Sequence, residues 1–416
     1  MGALKGLDMS ELDFETLSDA LKIGGPSALS EVTELEPAGG PQTLVAPAKY
    51  KGHDHATYVF ERRYMPGESG KEGTPVNTVL IDSRTSEANR VEQALRKGIE
   101  AGQPTLCSMP TMVVEYALKD GSKLLESDLE LPHRAFDAHF RLGYDSENPD
   151  QSFIKNAKYI EARNSTPADA SALFKMSPIT VLLGGWDSTR KSHQARFASC
   201  VTGEIVGILS DQDSYPLEDS DKLASSRSGA RVDPVGSGIY FSQSQADAIS
   251  DRLGKAHEKA KKGKVSGSEF VIGAIPPSVG GDALDGISVS RIVRSRVLSF
   301  AALRSLSFGC GPDGDHAIRM LLAALAIDGI ARADAELYLR ANAHLVEAGK
   351  PVTVIHKRFG EKIPLDAIEV GAADELLDAA YQQAHELAGV DWHGQRLRVI
   401  GDPVVIQSVN DTADAE

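Results

Sequence analysis

Three arrangements of side chains in this sequence could carry chemistry. The first is a scattered set of histidines and carboxylates. His53 and His55 flank Asp54, and His133, Asp137 and His139 follow downstream. Imidazole nitrogens and carboxylate oxygens are the ordinary ligands of a hydrolytic zinc or manganese ion. His53, His55, His133 and Asp137 therefore define one expectation, a metal-dependent hydrolase. Against it, His53 follows Lys51 and Gly52 in a polar stretch that reads as a loop, where histidines are solvated.

The second arrangement is LLGGWDSTRKSHQARFAS, Leu182 to Ser199. Apolar residues lead into Gly184 and Gly185. Trp186, Ser188, Arg190, Lys191, His193 and Arg196 follow, and Asp187 is the one acid of the run. An indole face beside fixed cations is how single strands of nucleic acid are held, by stacking on bases and neutralising phosphate. The paired glycines permit close approach of another backbone. The plainer alternative is a strand, a tight turn and a solvated loop, with Trp186 packed beneath the turn.

The third is VNTVLID followed by SRTSEANRVEQALRKG, a strand, a short polar turn and a helix. Ser86 is the expected N-cap. Ala88, Val91, Leu95 and Ile99 share one helical face. Ser83, Arg84, Ser86, Asn89 and Arg90 can then donate toward one point at the helix N-terminus, where N–H groups and the helix dipole favour an anion. Asp82 beside Ser83 and Ser86 lacks the surroundings of a nucleophile elbow, so a cap and turn account for it.

The chain that must hold these groups has 416 residues, 41% of them hydrophobic and 25% charged, an ordinary globular composition. The longest apolar run, Met320 to Ala331, is broken by Asp328 and is too short to span a membrane. The opening residues lack a signal-peptide pattern. Three widely spaced cysteines, Cys107, Cys200 and Cys310, make neither a metal pair nor a disulfide framework, so a cytoplasmic protein is expected. The net charge of −15 is carried by the ends: residues 1–37 net −6, residues 361–416 net −9, and the middle balances at zero. Local cationic runs in that neutral middle remain free to meet phosphate within a Debye length. They include KAHEKAKKGK and a stretch with Arg291, Arg294, Arg296 and Arg304 that holds no acid.

The elements that must position these groups follow from periodicity. Residues 1–43 read as an acidic N-terminal extension with one helix near Ser10 to Ile23 and a Pro/Gly linker. TLVAPAKY and HATYVFERRY read as a strand and its hairpin partner. LPHRAFDAHFRLG reads as a helix, CVTGEIVGIL and EFVIGAI as strands, and residues 246–264 as a helix. Residues 210–245 are too rich in Ser, Gly and Asp to form core, and predict a long excursion whose cations are Lys222, Arg227 and Arg231. His316 to Gly349 has helical periodicity. PVTVIHKRFG is a strand, and residues 361–416 form an acidic C-terminal helix and strand. Strands and helices alternate without regular βαβ spacing, which predicts an α+β domain with large insertions.

Several stretches, taken in order, resemble the backbone RAMP protein (Cas-seven superfamily) of CRISPR subtype I-G, formerly I-U. They are VLIDSRTSEANRVEQAL (Val79 to Leu95), LPHRAFDAHFR (Leu131 to Arg141), LLGGWDSTRKSHQARFASCVTGEIVG (Leu182 to Gly207) and VLSFAALRSLSFG (Val297 to Gly309). The resemblance spans about residues 44–360 and leaves out the acidic ends. It implies an RRM-like (ferredoxin-like) palm with a helical insertion and a protruding thumb, for which residues 210–245 are the candidate. It also implies a non-enzymatic, cofactor-free subunit that oligomerises along CRISPR RNA in a Cascade surveillance complex. The partners implied are the guide, further copies of the chain, other Cascade subunits and target DNA paired to the guide, with no membrane.

Overall fold

The computed structural model describes residues 9–51, 56–65, 72–118, 120–210, 212, 226–228, 238–254, 263–273, 278–280, 286–339 and 343–406; for 56–57, 226–228 and 278–280 it describes the backbone. The chain divides into two compact units. One comprises residues 1–48, 59–212 and 288–402, the other residues 49–58, 213–287 and 403–416.

The larger unit is built on an eight-stranded sheet: β1 (Ala28–Pro37), β2 (Phe60–Met65), β3 (Thr74–Asp82), β4 (Val201–Leu209), β5 (Val289–Ser299), β6 (Leu345–Glu347), β7 (Val352–His356) and β8 (Lys362–Leu365). Its order is β8-β7-β1-β5-β4-β3-β2, with β6 also pairing β1. Neighbouring strands are antiparallel throughout. Two helices cover one face: α2 (Arg84–Glu100), which leaves β3, and α3 (Gly311–Ala335), which leaves β5 by way of a short helix. α1 (Phe14–Leu21) and α4 (Val370–Ala388) pack against α3. Along the chain, β1, α2, β4, β5, α3 and β7 therefore make a βαββαβ succession whose strands lie in the order β7-β1-β5-β4.

α3 explains how this layer closes. Ala317 to Ala326 are almost wholly apolar and buried all round, the mark of an internal helix. A Cβ at Gly329 would stand 2.7 Å from Val91 of α2, so the glycine sets how closely the two helices pack. The buried Asp328 is partnered by Arg332 at 2.9 Å one turn on. A second sheet, in the order Lys123–Ser127, Thr111–Ala117, Arg396–Ile400, Tyr144–Asp145, sits among short helices inserted between α2 and β4.

Several expectations need correction. Residues 28–37, read as part of an acidic extension, form an inner strand. Leu29, Glu31, Thr33 and Leu35 point into the core in strict alternation, so two inward polar groups masked a two-residue period. TLVAPAKY is a strand only from Tyr50, where Tyr50–Lys51 pairs with Ala56–Thr57 of HATYVFERRY as expected, while the later part of that stretch, β2, pairs with β3. Glu269 and Phe270 of EFVIGAI close a 3-10 turn, Gly267–Phe270, rather than opening a strand, and Ala274 and Ile275 lie outside the described residues. LPHRAFDAHFRLG splits into a 3-10 turn, Arg134–Phe136, and a short helix, Ala138–Leu142. The apolar lead into Gly184 is a helix, Pro178–Leu183. The helix read to Gly349 ends at Ala335. Strand Arg396–Ile400 of the acidic C-terminal region runs parallel to Thr111–Ala117 inside the larger unit.

In the smaller unit, helix Gln243–Leu253 opens on a capping box of Ser242 and Gln245 and ends at Gly254 in the left-handed region. Ala246, Val265 and Phe270 make its small core, with Phe241, Ile249 and Ile272 packed against it. Tyr240–Phe241 pairs with Val265–Ser266. Most of residues 210–245, Lys222 and Arg231 included, lies outside the described residues; Arg227 belongs to the backbone strand Ser226–Ser228, which pairs with Ser278–Gly280. Among the described residues no helix is long and apolar enough to cross a membrane.

Candidate nucleic-acid interface

Trp186 stands on a two-residue antiparallel ribbon, Gly185–Trp186 against Arg196–Phe197, with Trp186 directly opposite Arg196. The indole is 53% exposed, so it does not pack beneath the turn. The Arg196 guanidinium lies 4.6 Å from the ring centroid, a cation–π pair that covers one indole face. The indole N–H donates to Gln194 Oε1 at 3.1 Å.

The paired glycines make room for the chain's own atoms, backbone at Gly184 and side chains at Gly185. Gly184 has φ +86°, and a Cβ there would stand 2.8 Å from the Phe197 carbonyl oxygen and from the Ser199 nitrogen. A Cβ at Gly185 would stand 2.7 Å from Thr180 Cγ2. Asp187 is buried and anchors the loop. It accepts from Arg163 Nε and from Thr189 Oγ1, each at 2.7 Å. Burial pushes its carboxyl up, but the bonds from Arg163 and Thr189 outweigh burial and hold it below the ordinary value. Arg190 is half-buried, donating to the Arg163 carbonyl and to Asn164 Oδ1, both at 2.8 Å. Ser188 and Lys191 are exposed.

The turn at α2 is arranged differently from expectation. Ser83, not Ser86, is the N-cap, and its hydroxyl accepts from the Ser86 N–H at 3.3 Å. Arg90 faces inward. It pairs with Asp82 at 2.7 Å and Glu87 at 3.4 Å, donates to the Tyr338 carbonyl, and lies 3.4 Å from the Ser86 hydroxyl. Arg84 is the outward cation, its side chain 76% exposed and 3.9 Å from Glu204. Asn89 is exposed further along the helix.

Arg134 joins the three stretches. From the 3-10 turn, at φ +49°, it pairs with the buried Glu92 of α2 and donates to the Gly184 carbonyl at 3.0 Å. Neither partner is close to it in sequence, so no local pattern could reveal the role. Burial pushes the Glu92 carboxyl up, against the pull of Arg134.

Two members of the acid-free run of arginines are internal. Arg294 and Arg296 are each 1% exposed on the inner face of β5. Arg296 pairs with Glu87 at 2.8 Å and with Asp334; Arg294 pairs with Asp334 and Glu347, each at 2.8 Å. Arg291 pairs with Glu34, and Arg304 donates to the carbonyls of Ala20 and Pro26. Glu87 is thus a buried counter-ion, its carboxyl raised by burial against the pull of Arg296.

For the hydrolase alternative, His53 and His55 lie outside the described residues. Asp137 caps the helix Ala138–Leu142, bonding the His139 N–H at 3.0 Å and its Nδ1 at 2.8 Å, and His133 is exposed. Among the described residues no three His, Cys, Asp or Glu side chains gather as a metal site.

The fold and this surface define an α+β protein that presents an exposed aromatic–guanidinium ribbon beside an antiparallel sheet. Residues 29–211 match the family described as CRISPR-associated protein GSU0053. No curated protein matches the chain.

Proposed function

We propose that the chain is a crRNA-binding backbone subunit of a type I CRISPR Cascade complex, without nuclease activity of its own. The observation that carries this reading is Trp186, half exposed, stacked on Arg196 and followed in the loop by Ser188 and Lys191. Stacking and phosphate contacts tolerate any guide sequence, as a backbone subunit requires. The βαββαβ succession with strand order β7-β1-β5-β4 supports a ferredoxin-like palm, and the insertion between β4 and β5 is where a thumb would emerge. Arg84 adds to the reading. A cation in the first turn of a helix opposes the dipole, and a bound phosphate would relieve that conflict. Copies would stack along the guide, joined by other Cascade subunits, and leave bases free to pair with target DNA in the cytoplasm.

Coexpression with its genomic neighbours tests the reading. The purified protein is expected to carry RNA of uniform length. The double variant Arg84→Ala/Lys191→Ala is expected to bind all guides more weakly. Its salt slope should flatten by about 0.7 for each phosphate that the two cations neutralise in the wild type. Protein free of RNA, with an unchanged salt slope in the variant, would refute it.

A further inference from the structure

The turn between β7 and β8 combines features that folding alone does not favour. The Glu361 N–H bonds the Arg358 carbonyl at 3.3 Å, which makes Phe359 and Gly360 the central residues of the turn. Both have positive φ, +59° and +80°. Tight hairpin turns of this kind take Asn-Gly or Asp-Gly, because a bulky side chain is strained in the left-handed region. Phe359 occupies that position and is 92% exposed. Strain and an exposed ring at one residue point to use outside the fold.

The surroundings name the use. The Arg358 guanidinium lies 5.0 Å from the Phe359 ring centroid. Lys357 and Lys362 flank the turn, and Glu361 is its one acid, 3.6 Å from Lys357. An exposed ring carrying an arginine, with further cations beside it, repeats the arrangement at Trp186 and Arg196. The two also share an end of the sheet. β7 ends at His356, opposite Ala28, which lies opposite Ser299 of β5. β4 begins at Val201, opposite Leu298, just after the Trp186 ribbon. Only β1 and β5 separate β7 from β4, three strand spacings or about 15 Å.

We propose that the Lys357–Lys362 hairpin is a second stacking contact for single-stranded RNA, with Phe359 as the platform and Arg358, Lys357 and Lys362 facing phosphate. This rests on the RNA-binding reading above and adds a site to it. The neighbours of the exposed ring are cations, which suit the phosphates of a single strand.

The test uses the full chain and a fluorescein-labelled, unstructured oligouridine, read by anisotropy, with melting curves in parallel. Phe359→Asn relieves the left-handed strain and is expected to melt at or above the wild type. It should nevertheless bind the oligouridine about 5- to 150-fold more weakly, the range for loss of one stacked base. Phe359→Tyr should bind as the wild type does, and Phe359→Leu as weakly as the Asn variant. Wild-type affinity in Phe359→Asn, while Trp186→Ala weakens binding, overturns this site and leaves the RNA reading standing. If the wild type itself does not bind, the RNA reading fails first. If Phe359→Asn changes sedimentation of the RNA-free protein and not its affinity, the hairpin is a protein contact and the proposal is wrong.

Discussion

Arg90 is held between Asp82 and the Tyr338 carbonyl, so removing it leaves the buried Asp82 carboxylate without its main partner. Arg90→Ala is expected to cost about 3 kcal/mol or more of stability, the range for breaking a buried ion pair. Any loss of RNA binding would then follow from a weakened fold. Trp186→Ala should behave in the opposite way. The indole is half exposed, and its contacts are one cation–π pair and one hydrogen bond to Gln194. Its removal should shift stability by about 1 kcal/mol or less, while affinity for single-stranded RNA falls. Melting curves and anisotropy on the two variants separate the roles, and a large drop in the melting temperature of Trp186→Ala would make the ribbon architecture rather than a site.

At the scale of elements, the insertion is fastened by a buried carboxyl. Asp128, wholly buried, accepts from the Met112 N–H at 3.2 Å and from the Ser177 hydroxyl at 2.5 Å, and Ser177 bonds Thr180 at 2.7 Å. Strand Thr111–Ala117 is thereby tied to helix Pro178–Leu183, which leads to the Trp186 ribbon. Burial pushes the Asp128 carboxyl up to about 7. The folded protein therefore holds a proton there that the unfolded chain releases near pH 4. The stabilisation is full below the unfolded value and is lost as pH rises through about 7. Asp128→Asn keeps the shape and cannot ionise. The variant should lose this part of the fall in stability between pH 4 and pH 8, and at pH 8 should exceed the wild type by at most about 4 kcal/mol. Urea unfolding at several pH values would show it, and parallel curves for the two proteins would exclude Asp128 as the titrating group.

For the whole molecule, a strand from each acidic end region belongs to the fold. β1 lies between β5 and β7, and strand Arg396–Ile400 lies between Thr111–Ala117 and Tyr144–Asp145. Deleting residues 1–37, or residues 390–416, should abolish cooperative melting. A deletion variant that still melts in one sharp transition would show that the removed strand is an appendage. The acidity of β1 has in part a structural reason: Glu34 pairs with Arg291 of β5, whereas Glu31 lies in the core 3.8 Å from Arg296, its carboxyl pushed well up by burial and by Asp334.

Local signals in the amino-acid sequence sufficed for β4, β7, α2 and α4, where periodicity is strong and the turns are well marked. They also sufficed to single out Trp186 with its cations and the stretches that carry the family resemblance, because aromatic and charged residues close in sequence stay close in space. Tertiary structure alone decided which cations reach solvent. Arg294 and Arg296 read as a basic surface but are neutralised by Glu87 and Asp334, which lie far off in the chain, whereas Arg84 and Lys191 face solvent. A charge's availability depends on partners brought in by folding, and no local pattern records them. The same holds for β1, whose polar inward residues hide a strand until their partners on β5 are in place, and for Arg134, which binds Glu92 and Gly184 only once α2 and the insertion have packed.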